Sequence, residues 1–309
     1  MMKIGFVVLF TVVSCAAAHG EGHALVIGVN DCPDFELPDG GLPRPLRGAE
    51  ADADAVANAL VEQFGFQEVN VELLKGTDAT LASIRGAMKR AAERTRSTDQ
   101  FVFHFSGHGT QLADRRPYDE RDDLDEALCP HDATADGEHL LVDDELGRWL
   151  DDLRAGQVTV ILDCCHAGSG TKEPDDDVAP RYLPGRVRAN RPDAQDEPWR
   201  DLRGATKALG RRTAAFFACG ADQRAYERRM PGQRAPARAG QFSHYLLEGL
   251  RDDRADANRD GVVSNQEALD YASKRLNATF NRDRPLAADR QEPVLEADSA
   301  DSPLFGVKR

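Results

Sequence analysis

The sequence has no apolar run near the roughly 20 residues that a membrane-spanning helix needs. Positive charge is in deficit: 39 Lys and Arg stand against 53 Asp and Glu, for a net charge of −14. A surface that tracks phosphates needs clustered positive charge, so nucleic acid is a poor candidate for the main partner. Cysteine is sparse, six in all, with no C-x-x-C pair, which leaves a structural zinc site without support. No internal repeat is visible. What is present is ample core material, with 41% hydrophobic residues in 309 positions. At about 150 residues per domain this length makes one large or two ordinary domains.

The first 18 residues read as an address rather than as structure. Lys3 precedes an uncharged run from Ile4 to Val13, and Ser14-Cys15-Ala16-Ala17-Ala18 supplies small residues at the cut. This is the layout of a secretory signal peptide. The expected location is therefore periplasmic or extracellular, either free or held by a lipid on Cys15, since Val12-Val13-Ser14-Cys15 also resembles a lipobox. Removal of Cys15 leaves Cys32, Cys129, Cys164, Cys165 and Cys219, an odd number and not a disulfide framework.

Further along, Ala24–Asn30 is a short apolar run ending in turn residues, which predicts a buried strand. Residues 31–45 form a Pro/Gly/Asp-rich loop, and helical spacing follows across 46–64 and 80–94. Strands are predicted at 69–74, 100–105, 158–162 and 213–218, and helices within 140–153, at 242–250 and at 265–280. Residues 114–136 read as an acidic, turn-rich stretch, and 293–295 and 303–305 as closing strand or loop segments. The alternation of strands and helices predicts an α/β fold with a mostly parallel sheet covered on both faces. Residues 171–201 carry five prolines, an acidic run and Arg181, Arg186, Arg188 and Arg191, so they read as an exposed linker.

In an open parallel sheet, ligands bind beyond the carboxyl ends of the strands. Two predicted strands end there in reactive residues, one in Ser106-Gly-His108-Gly109 and the other in Asp163-Cys164-Cys165-His166-Ala-Gly168. A thiol attacks a carbonyl as the thiolate and so needs a neighbouring base. His108 is the candidate, 57 residues before Cys165, close to the separation of about 50 seen in caspase-type enzymes.

Phe105–Gln111 and Asp163–Ser169 resemble the two catalytic signatures of metacaspases, within the caspase-like cysteine peptidases. Leu46–Ala53, Asp125–Asp132 and the segment from Gln291 to Phe305 resemble other parts of the same family, here in a bacterial exported form. The resemblance implies a caspase-like sandwich in 22–305, with a large part 22–170, a linker 171–201 and a small part 202–305. It also implies Cys165 as nucleophile, His108 as general acid/base, and the amides of Gly109 and Cys165 as oxyanion donors. Asp52, Ser106 and Asp163 are implied to line the pocket for the residue before the scissile bond. Two carboxylates there favour Arg or Lys and penalise an acidic side chain. The expected partners are thus proteins or peptides with a basic residue at that position, and the linker arginines are candidate sites of self-processing.

Two calcium sites are expected. Asp256, Asn258, Asp260, Gly261 and Glu267 fit every defined position of an EF-hand loop over 256–267, with Val262 supplying a carbonyl and Ser264 a further oxygen. Asp123, Asp143 and Asp144 resemble the carboxylates of the calcium site that activates many metacaspases, although Lys172 stands where that pattern has another acid. No organic cofactor is implied. Three alternatives stay open. They are a gingipain- or clostripain-like protease, a catalytically silent caspase-like domain that binds calcium or a partner, and a redox role for Cys164-Cys165. The last lacks the C-x-x-C spacing.

Overall fold

The computed structural model describes residues 20–113, 124–165, 178–184, 212–230 and 238–305. The leader, Cys15, Asp123, His166, Lys172, Arg186, Arg188 and Arg191 lie outside the described residues.

Six strands form the central sheet: β1 (Gly22–Gly28), β2 (Val71–Lys75), β3 (Gln100–Ser106), β7 (Gln157–Asp163), β9 (Arg212–Phe217) and β12 (Val294–Ala297). Their order is β12-β9-β7-β3-β1-β2, parallel throughout except for the antiparallel edge strand β12. The three central strands are buried at nearly every position, as expected where helices cover both faces.

Because side chains alternate along a strand, each strand feeds two cores. Leu25, Ile27, Phe101, Phe103, Phe105, Val158, Val160 and Leu162 pack with helices α2 (Leu81–Arg94) and α3 (Asp143–Asp152). Ala24, Val26, Val102, Ile161, Ala214 and Phe216 pack on the other face. There they meet α1 (Ala49–Glu62), α4 (Gln241–Leu250) and α5 (Asn265–Thr279). The result is a three-layer α/β sandwich.

Helix starts follow local chemistry where the sequence supplies a cap. The Thr80 hydroxyl accepts from the Ser83 amide at the start of α2, and Ser264 and Glu267 form a reciprocal capping box on α5. Helix α1 has no such cap. Its first amides are taken up by distant groups: Asn30 Oδ1 accepts from Ala49 N (3.0 Å), and Glu227 accepts from Arg47 N and Gly48 N.

Two small sheets complete the fold. One consists of β4 (Gly109–Ala113), β5 (Leu124–Leu128) and β6 (Leu141–Val142). The other consists of β8 (Val178–Pro180), β10 (Tyr226–Arg229) and β11 (Arg238–Gly240). Within the acidic stretch, residues 124–128 are a strand, with Asp125, Ala127 and Leu128 buried, and the expected turns lie at 131–132 and 135–136. Part of the expected linker is likewise strand β8. Residues 303–305 form no strand beyond a bridge from Pro303 to Ser264, while Leu304 and Phe305 are buried in the core. All five cysteines of the described residues are free thiols and buried.

Candidate active site

Ser106 and Asp163 pair directly across β3 and β7, so the two motif loops leave adjacent strands in step. His108 and Cys165 each follow two residues later, and both are almost fully buried. The amide of Cys129 donates to the His108 carbonyl (3.0 Å), tying the His loop to the end of β5.

Between the two loops lies the chain's own Arg181. Its carbonyl oxygen accepts from Gly109 N (2.9 Å) and from Cys165 N (3.3 Å), the two amides expected to stabilise an oxyanion. Its guanidinium occupies the pocket predicted for a basic substrate. Nη2 donates to Asp52 Oδ2 (2.6 Å), and Nη1 donates to Ser106 Oγ (2.6 Å) and lies 3.2 Å from Asp163 Oδ1. The sequence reading placed Arg181 on an exposed loop; here it is fully buried. The reason is charge. A guanidinium can leave water only where carboxylates and hydrogen-bond acceptors surround it, and residues 18 to 129 positions upstream provide them.

The pocket draws on the central sheet, on α1 and α4, and on the small sheet β8-β10-β11. Asp52 sits in the first turn of α1 and accepts from Gly240 N (3.0 Å to Oδ2) and from the Ser106 hydroxyl (2.9 Å). Asp163 Oδ2 accepts from Ser243 N (2.9 Å). A third acid, Glu227 on β10, lies 3.9 Å from the Arg181 guanidinium and 4.0 Å from that of Arg238. Sequence reasoning missed Glu227, which stands in a Tyr-Glu-Arg-Arg run with no motif around it. It also missed Gly240. A Cβ there would fall 2.2 Å from Asp163 Oδ2 and 2.5 Å from Arg181 Nη1, so only glycine leaves the pocket open.

The segment entering the site is held as a strand. Ala179 pairs with Glu227 and Pro180 with Tyr226, antiparallel, and Arg181 N donates to the Ala225 carbonyl (2.9 Å). Beyond Arg181, Leu183 N donates to the Gly109 carbonyl (2.9 Å) and the Thr110 hydroxyl donates to the Leu183 carbonyl (2.7 Å).

Enclosure suppresses charge on both reactive groups. Burial pushes the Cys165 thiol up to about 12. Burial, then the Arg181 charge, pushes the His108 imidazole down to about 3, with only the Arg44 backbone acting the other way. Neither ring nitrogen of His108 has a well-formed side-chain or backbone partner. With Arg181 seated, the pair is held neutral. Burial also raises the Asp52 carboxyl, to about 7, against the lowering effect of Arg181.

The metal candidates differ. In the 256–267 loop, Asp256 accepts from the amides of Arg259, Asp260 and Gly261, and Glu267 from those of Ala257, Asn258 and Ser264. Asn258 and Asp260 likewise accept from amides two residues on. These oxygens are engaged by the loop itself. Asp143, at the start of α3, is buried with Oδ2 lacking any hydrogen-bond partner. Its carboxyl is pushed up to about 8 by burial, then by Glu126, Asp125 and Asp144. Among the described residues, no three His, Cys, Asp or Glu side chains converge where a metal could sit.

A parallel sheet ending in these two loops, with a small sheet set beside them, defines the class: the chain belongs to the caspase-domain family, whose model matches residues 21–305. Among individual relatives, the chain is 34% identical to Metacaspase-3 of Arabidopsis thaliana over 158 residues, 48% of this chain and 41% of that protein. It is 29% identical to Metacaspase-1 of Pyricularia oryzae over 308 residues, 92% of this chain and 71% of the relative. The chain thus spans less than half of the plant relatives it matches. In fold it is similar to the crystal structure of protein GSU0716 from Geobacter sulfurreducens, with TM-score 0.61, 24% identity and coverage of 94% and 97% of the two chains. It is also similar to Caspase-1 of Spodoptera frugiperda, with TM-score 0.50, 14% identity and coverage of 94% and 92%.

Proposed function

We propose that this chain is a cysteine endopeptidase that cleaves after Arg or Lys, and that its first substrate is its own Arg181–Tyr182 bond. One observation carries the reading: a single residue puts its guanidinium on Asp52, Ser106 and Asp163 and its carbonyl oxygen on the amides of Gly109 and Cys165. That is the posture of a substrate residue just before a scissile bond, with the oxyanion donors already aligned.

In the reaction, the Cys165 sulfur bonds to the Arg181 carbonyl carbon as His108 takes the thiol proton. Negative charge then gathers on the carbonyl oxygen, under the Gly109 and Cys165 amides. Collapse breaks the C–N bond to Tyr182, and His108 returns the proton to the leaving amine. Water, deprotonated by His108, next attacks the thioester and releases Arg181 as a carboxylate, restoring the thiol. Each well-placed oxyanion donor is worth about 3 to 4 kcal/mol in such a step.

The test compares purified wild type with Cys165→Ala by mass spectrometry and by turnover of Val-Ala-Pro-Arg-arylamide. Wild type should yield a fragment beginning at Tyr182 and hydrolyse the arylamide, while Cys165→Ala stays whole and silent. A preference for Asp over Arg, or identical fragments from both proteins, would refute the reading. Absence of all turnover would favour the silent, partner-binding alternative.

Calcium modulation belongs to the same proposal, through Asp143 rather than the 256–267 loop. The unpartnered buried oxygen of Asp143, beside further acidic groups, fits a hard divalent cation, with Asp144 and Asp123 as the other expected ligands. The cation would neutralise the acidic start of α3. The exported location is also part of the proposal, and N-terminal sequencing of the mature protein after cell fractionation checks it. An intact Met1 in the cytosolic fraction would refute it.

A further inference from the structure

The site also grips the chain on the far side of the bond, and this inference rests on the self-processing reading above. Tyr182, immediately after Arg181, is half-buried, with the Arg224 guanidinium 5.9 Å from its ring centre. Leu183, one residue further, is only 4% exposed and belongs to the same core as Leu112, Leu128 and Cys129. Its backbone is fixed at both ends, the amide by the Gly109 carbonyl and the carbonyl by the Thr110 hydroxyl. Gly109 therefore holds both sides of the bond at once. Its N–H donates to the Arg181 carbonyl and its C=O accepts from Leu183.

We propose that this enclosed seat is a specificity subsite: the enzyme prefers peptides with a leucine-like aliphatic residue at the second position after the scissile bond. The main-chain bonds to Gly109 and Thr110 are available to any residue, so they supply register rather than choice. Choice comes from the side chain. An aliphatic group gains by burial there, whereas a carboxylate would lose its water without gaining a partner. Tyr182 is only half enclosed, so the position directly after the bond discriminates less.

The test uses the full chain and four substrates. Three are internally quenched peptides, Val-Ala-Pro-Arg-Tyr-Xaa-Pro-Gly with Leu, Ala or Asp at Xaa. The fourth is Val-Ala-Pro-Arg-arylamide, which lacks that side altogether. The expected result is kcat/KM falling from Leu to Ala by about 10-fold or more, the discrimination typical of an apolar pocket, and falling further to Asp. Equal kcat/KM for the three peptides, with the arylamide turned over, overturns the subsite and leaves the Arg-directed protease standing. Failure of all four substrates overturns the protease reading, and the subsite falls with it.

Discussion

On the proposed reading, Asp52 would link specificity to pH. Burial raises its carboxyl to about 7 while Arg181 pulls it down. An emptied pocket loses that pull, so its carboxyl rises further and protonates near neutrality. The protonated form cannot pair with an incoming guanidinium. KM for a basic peptide should therefore rise as pH falls toward about 7 from above, and the rise should vanish in Asp52→Asn along with most of the affinity. A KM independent of pH between 9 and 7 would remove Asp52 from substrate binding. Gly240 allows a sharper test. Because an added methyl would meet Asp163 and the bound guanidinium, Gly240→Ala should block both self-cleavage and arylamide turnover while Asp-based substrates stay inert. At this scale the motif loops after β3 and β7 were legible as patterns at strand ends, and the structure brings their residues and Asp52 together around Arg181. Glu227 and Gly240 were not legible. Their roles arise from strands β10 and β11 folding back over the pocket, a contact no local pattern records.

Helix α3 begins with Asp143, Asp144 and Glu145, acids that suit a helix N-terminus. Asp143 nevertheless keeps one oxygen buried and unpartnered, and its carboxyl stays raised. Calcium should speed arylamide turnover in wild type, and Asp143→Ala should abolish that response. Asp256→Ala should leave it in place, because on the proposed reading the cation acts through the buried, unpartnered oxygen of Asp143. The reverse pattern would transfer the effect to that loop. The elements themselves were mostly readable. Central strands showed as apolar runs and helices as 3.6-residue spacing, with ends set by Thr80 and Ser264. Strands β5, β8, β10 and β11 were hidden because each is five residues or fewer and none is an apolar run of strand length. Their strand character comes from partners, as when Ala179 pairs with Glu227.

At the scale of the whole molecule, Arg181 fastens segment 178–183 to α1, to the ends of β3 and β7 and to β10. Removing one partner of such a buried ionic cluster strands the others, at a cost of roughly 3 to 5 kcal/mol. Arg181→Leu should accordingly lower the urea midpoint far more than Arg181→Lys, which keeps the charge. Equal midpoints would show that the cluster carries no stability. Proton linkage adds a pH profile. His104 and His108 stay neutral down to about 3 in the fold but charge near 6.5 when unfolded. The unfolded chain then binds more protons, so their stabilisation is complete above 6.5 and is lost as pH falls toward 3. Asp52 and Asp143 act oppositely. They hold protons up to about 7 and 8, against 3.8 unfolded, so their contribution is lost as pH rises through that range. From these four groups, stability should be flat between about 4 and 6.5 and decline on either side. Urea midpoints across pH check this, and a steady rise from 4 to 8 would contradict it.

The amino-acid order by itself indicated the layered α/β plan and the two motif loops, each of which rests on residues within a few positions of one another. Asp52, Ser106 and Asp163, up to 111 positions apart, were named as a pocket only through the family resemblance. The tertiary structure alone decided what fills that pocket. Nothing near Arg181 in the chain announces burial, and its surroundings of prolines and charges argue for solvent. It is buried because Asp52, Ser106, Asp163 and Glu227 meet at one point once the sheet has formed, and that convergence offsets the cost of taking a guanidinium out of water.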